Sequence, residues 1–183
     1  LAWNYSRLVD LASGEYFKWA AHDDLCAPQF LARLVDTLDR HPEAAWCHSW
    51  TGFIDETGAP TRGPTGPVFR YSGQPGRRDA RPEQRFRAVM LGSGECYDTY
   101  GLFRLALLRP SGRQRPWFGS DKILIAEMSL KGTFLEVPDV LFFNREHKGQ
   151  STWSSRRRQE WIMRGSDPGP LVLPRRLRCV LAY

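Results

Sequence analysis

The spacing of apolar residues along the chain predicts alternating helices and strands. Apolar positions three and four residues apart are typical of a helix with one buried face, and they occur over 1–12, 29–40 and 123–130. Continuous apolar runs bounded by turn residues predict strands over 16–21, 44–49, 51–54, 134–137 and 140–143. The helix–strand–helix–strand order at the start of the chain favours an α/β fold with a mostly parallel sheet.

A long loop is predicted after these first elements. Residues 57–82 are rich in Gly, Pro and Arg and lack apolar periodicity, so we expect mobility and little regular structure. A helix is expected to begin at Pro82 and to end at Ser93-Gly94. The remaining predictions are a strand over 96–103, a helical turn over 104–108, a polar helix over 153–164 and an amphipathic segment from Pro174.

The composition indicates one globular domain with a basic end. The chain has 183 residues, 42% of them hydrophobic, which is enough for a real core. Its net charge is +6, and residues 151–183 supply most of it, with seven arginines against Glu160 and Asp167. A basic tail could meet anionic lipid or nucleic acid, although a solvated arginine-rich end is the more ordinary interpretation. No nucleic-acid motif is present, so a nucleic-acid module is poorly supported.

Several classes of protein are disfavoured by what the sequence lacks. The four cysteines form no C-x-x-C pair and fit no zinc pattern, which favours a reduced, cytoplasmic setting. No apolar run approaches the roughly 20 residues of a membrane span. Dinucleotide-binding, P-loop and G-x-S-x-G hydrolase motifs are also missing. Because the chain does not begin with Met and residues 1–12 already form a helical pattern, we interpret it as a fragment whose start lies upstream.

Three acidic or imidazole positions are candidates for chemistry. Asp23 and Asp24 follow the predicted strand 16–21, and ligands of α/β sheets bind beyond the carboxyl ends of strands. Paired carboxylates suit a hard divalent cation, but Asp24 could equally cap the helix after Pro28. Asp121 lies at the start of a predicted helix, and without further information it is interpreted as a helix cap or a first-turn acid. His147 is either a surface residue or a metal ligand.

The order of motifs resembles that of the family-two glycosyltransferases. In that family a Gly-Glu-Tyr strand is followed by an acidic D-x-D motif, a Pro-started helix, a His-Pro turn, a strand and an Ile-Asp-x-x-Gly turn. The corresponding residues here are Gly14-Glu15-Tyr16, Asp23-Asp24, Pro28, His41-Pro42, 44–49 and Ile54 to Gly58. Further similarity lies at Tyr100 to Arg104, Phe118 to Asp121 and Asn144 to His147, so the resemblance covers most of residues 4–151.

The resemblance implies a GT-A fold and transfer of a sugar, with inversion, from a nucleotide-sugar to an acceptor hydroxyl. It implies a divalent metal, Mn²⁺ or Mg²⁺, held by Asp23 and His147, with Asp24 as a helper. Asp121 would be the general base. The first acid of the family motif falls on Ala21 here, and the usual Glu-Asp pair before the helix is Ser120-Asp121. These departures keep open a non-catalytic remnant or binding module of the same fold.

Further roles follow from the same resemblance. Asp23, Asp24, Gly101 and Arg145 would bind the donor. Trp117 and Phe118 would stack on the acceptor, although such aromatic residues more often belong to the core. We expect Asp23, Asp121 and His147 to line one cleft.

The resemblance also suggests an organisation and a setting. We expect a partial GT-A domain over 1–151, which lacks the family's first nucleotide-binding β-α-β, and a basic, partly helical extension over 152–183. The expected partners are a nucleotide-sugar donor and a glycan or lipid-linked acceptor of cell-envelope polysaccharide synthesis, and no specific nucleic acid. The expected location is cytoplasmic, with peripheral contact of the basic tail with the inner face of the membrane.

Overall fold

The fold consists of one mixed sheet with helices on both faces. A computed structural model describes residues 1–63, 66–71, 74, 76–92, 95–111, 114–150 and 155–165. Its helices are α1 (Ala2–Leu11), α2 (Phe30–Asp39), α3 (Pro82–Leu91), α4 (Leu105–Leu108), α5 (Ser120–Lys131) and α6 (Arg156–Arg164), and Tyr97–Tyr100 form a 3₁₀ turn. The strands are β1 (Tyr16–Phe17), β2 (Leu25–Cys26), β3 (Ala44–Ile54), β4 (Val68–Phe69), β5 (Leu102–Arg104) and β6 (Thr133–Arg145).

The sheet has the order β1-β5-β3-β6-β2, with β4 paired to β3 beyond β5. The two long strands, β3 and β6, run parallel, whereas the other pairings among the described residues are antiparallel. The α/β class is therefore confirmed, but the expected mostly parallel sheet is wrong. The strands of two or three residues run antiparallel to their neighbours, a pairing that needs no long crossover between adjacent strands.

Three strands differ from the prediction in their bounds. The strand predicted over 16–21 contains only Tyr16–Phe17, which pair with Arg104 and Phe103. The predicted breaks in β3 and β6 are absent, and each strand is continuous. One of the three register shifts in their pairing falls between Ser49↔Val137 and Trp50↔Val140. Pro138 lies in this irregularity, where its missing N–H is tolerated.

The core has one cluster on each face of the sheet. On one face, α1, α3 and α5 pack against Trp46, Phe103 and Phe134. On the other face, α2 packs Phe30, Leu34 and Leu38 against the alternate residues of the same strands. The predicted helices over 1–12, 29–40 and 123–130 are thus confirmed. The helix that begins at Pro82, the helical turn predicted over 104–108 and the polar helix that ends at Arg164 are confirmed as well.

The segment 57–82 has the expected lack of regular structure but is anchored to the core. Of its described residues, only β4 forms a strand. Tyr71 and Arg77 are nevertheless buried, and the Arg77 guanidinium forms an ion pair with the buried Asp98 carboxylate. The Tyr71 hydroxyl donates to Asp98 Oδ1 at 2.9 Å. Mobility of this segment stays a prediction.

The predicted strand over 96–103 is a 3₁₀ turn followed by the short strand β5. The amphipathic segment expected from Pro174 lies outside the described residues. Within the described ranges, no helix is both long and apolar enough to cross a bilayer.

Candidate functional site

Asp23 and His147 are in contact although 124 residues separate them in sequence. His147 follows the carboxyl end of β6, and its Nε2 lies 2.9 Å from Asp23 Oδ2. The Gly149 N–H donates to His147 Nδ1 at 3.2 Å. Since Nδ1 accepts this bond, the neutral ring carries its hydrogen on Nε2 and donates it to the Asp23 carboxylate.

Asp24 connects the acidic motif to the end of the sheet. Its Oδ1 accepts hydrogen bonds from Asn144 Nδ2 and from the Arg145 N–H, both at 2.9 Å. Burial raises the pKa of the Asp24 carboxyl, and the bond from the Arg145 N–H opposes this increase. The alternative that Asp24 caps the next helix is wrong, because Gln29 holds the cap position of α2 and no side chain caps it.

The Arg145 side chain joins three segments at this edge. Its Nε donates to the Asp23 carbonyl oxygen at 2.8 Å, and its Nη1 donates to the Asp55 carbonyl oxygen at 2.6 Å. Glu56 O accepts a longer bond of 3.2 Å from the same Nη1. The guanidinium therefore fixes the backbone of the acidic motif against the turn after β3. Direct donor binding by Arg145 stays a prediction.

Asp121 lies in the first turn of α5 and is half-buried. Gly119, with φ of 85°, holds the cap position, so the cap interpretation of Asp121 is wrong and the first-turn acid is confirmed. Asp121 Oδ1 accepts a bond from the Lys122 N–H at 2.9 Å. The preceding Ser120 is buried, and its Oγ lies 2.8 Å from Gln114 Oε1, so it faces the protein interior.

Two tyrosines connect the Asp121 side of the site with the Asp24 side. The hydroxyl groups of Tyr5 and Tyr100 interact with each other. Burial is the largest cause that raises the pKa of each hydroxyl, and the nearby charges of Asp24 and Asp121 raise both pKa values further. Both carboxylates thus act on one tyrosine pair. A single cleft shared by Asp23, Asp121 and His147 stays a prediction.

A third tyrosine lies among further carboxylates. Burial, followed by the charges of Glu95 and Glu146, raises the pKa of the Tyr97 hydroxyl. Glu146 Oε2 accepts a bond of 2.6 Å from Thr61 Oγ1. Sequence reasoning missed these residues because a tyrosine in a helix or turn carries no local signal that it faces a site.

The remaining candidates have clear structural environments. A Cβ on Gly101 would overlap the Cys47 carbonyl oxygen, so a glycine is required here by the packing of β5 against β3. Trp117 and Phe118 are half-buried in the turn before α5. Among the described residues, the buried Trp117 Nε1 has no hydrogen-bond partner, and the Arg115 guanidinium lies 5.9 Å from the centre of the Trp117 ring. Donor and acceptor contacts of these residues stay predictions.

A divalent cation held by Asp23 and His147 stays a prediction, and the two side chains would supply only part of its ligands. Adjacent ligands on an octahedron of about 2.1 Å radius lie about 3 Å apart, close to the observed 2.9 Å. Across the described part of the chain, no group of three or more His, Cys, Asp or Glu residues is arranged for a metal. Mg²⁺-type ions commonly use one or two carboxylates and take substrate phosphates and water as the other ligands. Ligation through Nε2 would shift the ring hydrogen to Nδ1 and break the bond from Gly149.

The comparisons with known proteins give no family for this chain. No protein-family model matches the sequence. A search of curated proteins also found no match.

Proposed function

We propose that this chain is a glycosyltransferase of the family-two type, with a GT-A-like arrangement around the β3–β6 pair. It transfers a sugar from a nucleotide-sugar to an acceptor hydroxyl. The observation that carries the proposal is the contact between Asp23 and His147 beyond the end of β6. The resemblance assigns these two residues to one metal, and they are in contact although most of the chain lies between them in sequence.

In the proposed reaction, Asp121 takes the proton from the acceptor hydroxyl. The acceptor oxygen forms a bond to the anomeric carbon from the face opposite the diphosphate, and the nucleoside diphosphate leaves with the electrons of the broken bond. The configuration of the sugar is therefore inverted. A divalent cation bound by Asp23 and His147 would supply positive charge to the leaving diphosphate.

The surrounding residues hold this arrangement in place. Asp24 and Arg145 fix the backbone of Asp23 to the end of β6 and to the Asp55 carbonyl oxygen.

A non-catalytic binding module is the second candidate function. Ala21 favours it, because the first carboxylate of the family motif is missing there. Such a module would bind a nucleotide-sugar without releasing its nucleoside diphosphate. Binding and turnover therefore have to be measured separately.

The proposal is tested by calorimetric titration of Mn²⁺ and of UDP-, GDP- and dTDP-sugars into the 183-residue chain. Mn²⁺ should tighten the binding of one donor class. Asp23→Asn and His147→Gln should each weaken that Mn²⁺-dependent binding by about tenfold or more, since even outer-shell partners of a metal have this effect. Asp36→Asn, on the exposed face of α2, is the matched control and should change nothing. A donor affinity that changes neither with Mn²⁺ nor with the Asp23→Asn substitution would refute the metal site.

A further inference from the structure

Two exposed tryptophans lie on neighbouring helices. Trp3 on α1 is 69% exposed, and Trp161 on α6 is 54% exposed. The two helices are in contact with each other. Tryptophan usually buries its large apolar ring, so two such rings on adjacent helices indicate an interaction surface.

The outer surface of α1 exposes three large apolar residues, Trp3, Leu8 and Leu11, together with the polar side chains Asn4, Arg7 and Asp10. Leu11 lies about 80° around the helix from Trp3, and Leu8 lies beside Leu11, three residues before it. Leu8 and Leu11 are 45% and 66% exposed. The opposite side of α1 already packs into the core through Ala2 and Val9. The outer apolar residues therefore serve no packing purpose within the described fold.

Arginines accompany both tryptophans. The Arg7 guanidinium lies 5.0 Å from the centre of the Trp3 ring. On α6, Arg157, Arg158 and Arg164 are exposed and lie four or three residues from Trp161, hence around it on the helix surface. The α6 segment contains four arginines and one glutamate, so its net charge is positive.

We propose that this face of α1 and α6 docks on an anionic lipid bilayer. The α1–α6 face consists of Trp3, Arg7, Leu8, Leu11, Arg157, Arg158, Trp161 and Arg164. Tryptophan rings favour the headgroup region of a bilayer, leucines gain from the acyl boundary, and arginines pair with lipid phosphates. A nucleic acid would satisfy the arginines but would leave Leu8 and Leu11 in water.

The docking also has a consequence for the candidate site. Tyr5 lies on the partly buried side of α1 and interacts with Tyr100. A docked α1 would hold the site about one helix diameter, roughly 10 Å, from the lipid surface. This position suits an acceptor attached to lipid if the proposed sugar transfer is correct, but the docking itself does not depend on that reaction.

The test is co-sedimentation of the 183-residue chain with vesicles. Vesicles of phosphatidylcholine with roughly 30% phosphatidylserine should bind the chain, and pure phosphatidylcholine should bind it far more weakly. Arg158→Gln should weaken binding about fivefold, the usual effect of one basic residue near an anionic surface. Trp161→Ala should also weaken it. Circular dichroism on each variant confirms that the fold is intact, as expected for exposed positions.

Two control variants distinguish binding through the α1–α6 face from nonspecific hydrophobic or electrostatic binding of the chain to vesicles. Leu91→Ala removes a leucine that is 73% exposed on α3, and Arg40→Gln removes an exposed arginine of α2. Both should bind vesicles like the unaltered chain. Equal losses in Arg40→Gln and Arg158→Gln would overturn the proposal.

Other outcomes would also overturn it. Binding that persists after Arg157, Arg158 and Arg164 are all replaced by glutamine would assign the contact to the basic residues after 165. Equal binding to neutral and anionic vesicles would contradict the charge argument. Salt-sensitive binding to a duplex DNA, without vesicle binding, would assign the face to nucleic acid instead.

Discussion

Replacing Asp98 by asparagine should destabilise the fold far more than a surface substitution does. Asp98 is fully buried, Arg77 is 5% exposed, and the two form an ion pair beside the Tyr71 ring. Asp98→Asn keeps the shape of the side chain but leaves the Arg77 charge buried without its counter-charge. Breaking a buried pair in this way costs about 3–5 kcal/mol of unfolding free energy.

Urea unfolding followed by circular dichroism would measure this loss. A fall of about 3–5 kcal/mol corresponds to a Tm lower by roughly 6–20 °C for a chain of this size. Asp139→Asn is the matched control, because Asp139 also pairs with an arginine, Arg33, at 2.6 Å, yet both side chains are well exposed. The control should lose about 1 kcal/mol or less.

The reasoning is refuted if Asp98→Asn and Asp139→Asn lose the same stability. Arg77→Met provides a second check, since it leaves the buried Asp98 carboxylate with the Tyr71 hydroxyl as its remaining partner. The double variant Arg77→Met, Asp98→Asn should be more stable than the sum of the single losses predicts, because no uncompensated charge remains. Simple additivity would mean that the two groups do not interact.

Three further predictions concern single residues. Burial, followed by the charges of Lys18 and Arg77, lowers the pKa of His48 from 6.5 to about 3. Below pH 6.5 the unfolded chain therefore binds a proton that the folded chain does not bind, and the free energy of unfolding should fall by up to about 1.4 kcal/mol per pH unit. His48→Gln should reduce this pH dependence in urea unfolding, and an unchanged slope would contradict the prediction. Gly101→Ala should cost about 1–3 kcal/mol by thermal unfolding because its Cβ meets the Cys47 carbonyl oxygen, whereas a neutral result would show that β5 can move. Asp24→Asn should lower the Tm by weakening the bonds at the end of β6, and Mn²⁺ should not restore it; recovery with Mn²⁺ would make Asp24 a ligand instead.

The sequence predicts the helices well because their signal is long and periodic. In α2, Phe30, Leu34 and Leu38 recur at helical spacing and are all buried in the structure. The strands β1, β2 and β4 have two residues each, which is too short for any period to be detected. The direction of a strand pair also depends on distant partners, and the sheet was consequently predicted as mostly parallel when it is mixed.

The candidate site shows the same division between local and distant information. The ordered motifs singled out Asp23 and His147, and the structure places them in contact. The interaction between Tyr5 and Tyr100 joins a helix to a turn more than ninety residues later, and neither segment contains a local sequence signal for it. Gly101 was assigned to donor binding, yet its environment is the backbone of β3, which only the fold reveals.

The central claim is tested most directly by measuring the nucleoside diphosphate released from a nucleotide-sugar in the presence of an acceptor glycan. Our account predicts Mn²⁺-dependent release by the unaltered chain. Asp121→Asn should reduce turnover by about 10²–10⁴-fold, the usual effect of losing a general base, with little change in donor affinity. Asp23→Asn should instead weaken donor binding, and added Mn²⁺ should partly restore it. Full turnover by Asp121→Asn, or turnover that does not depend on a divalent metal, would contradict the account.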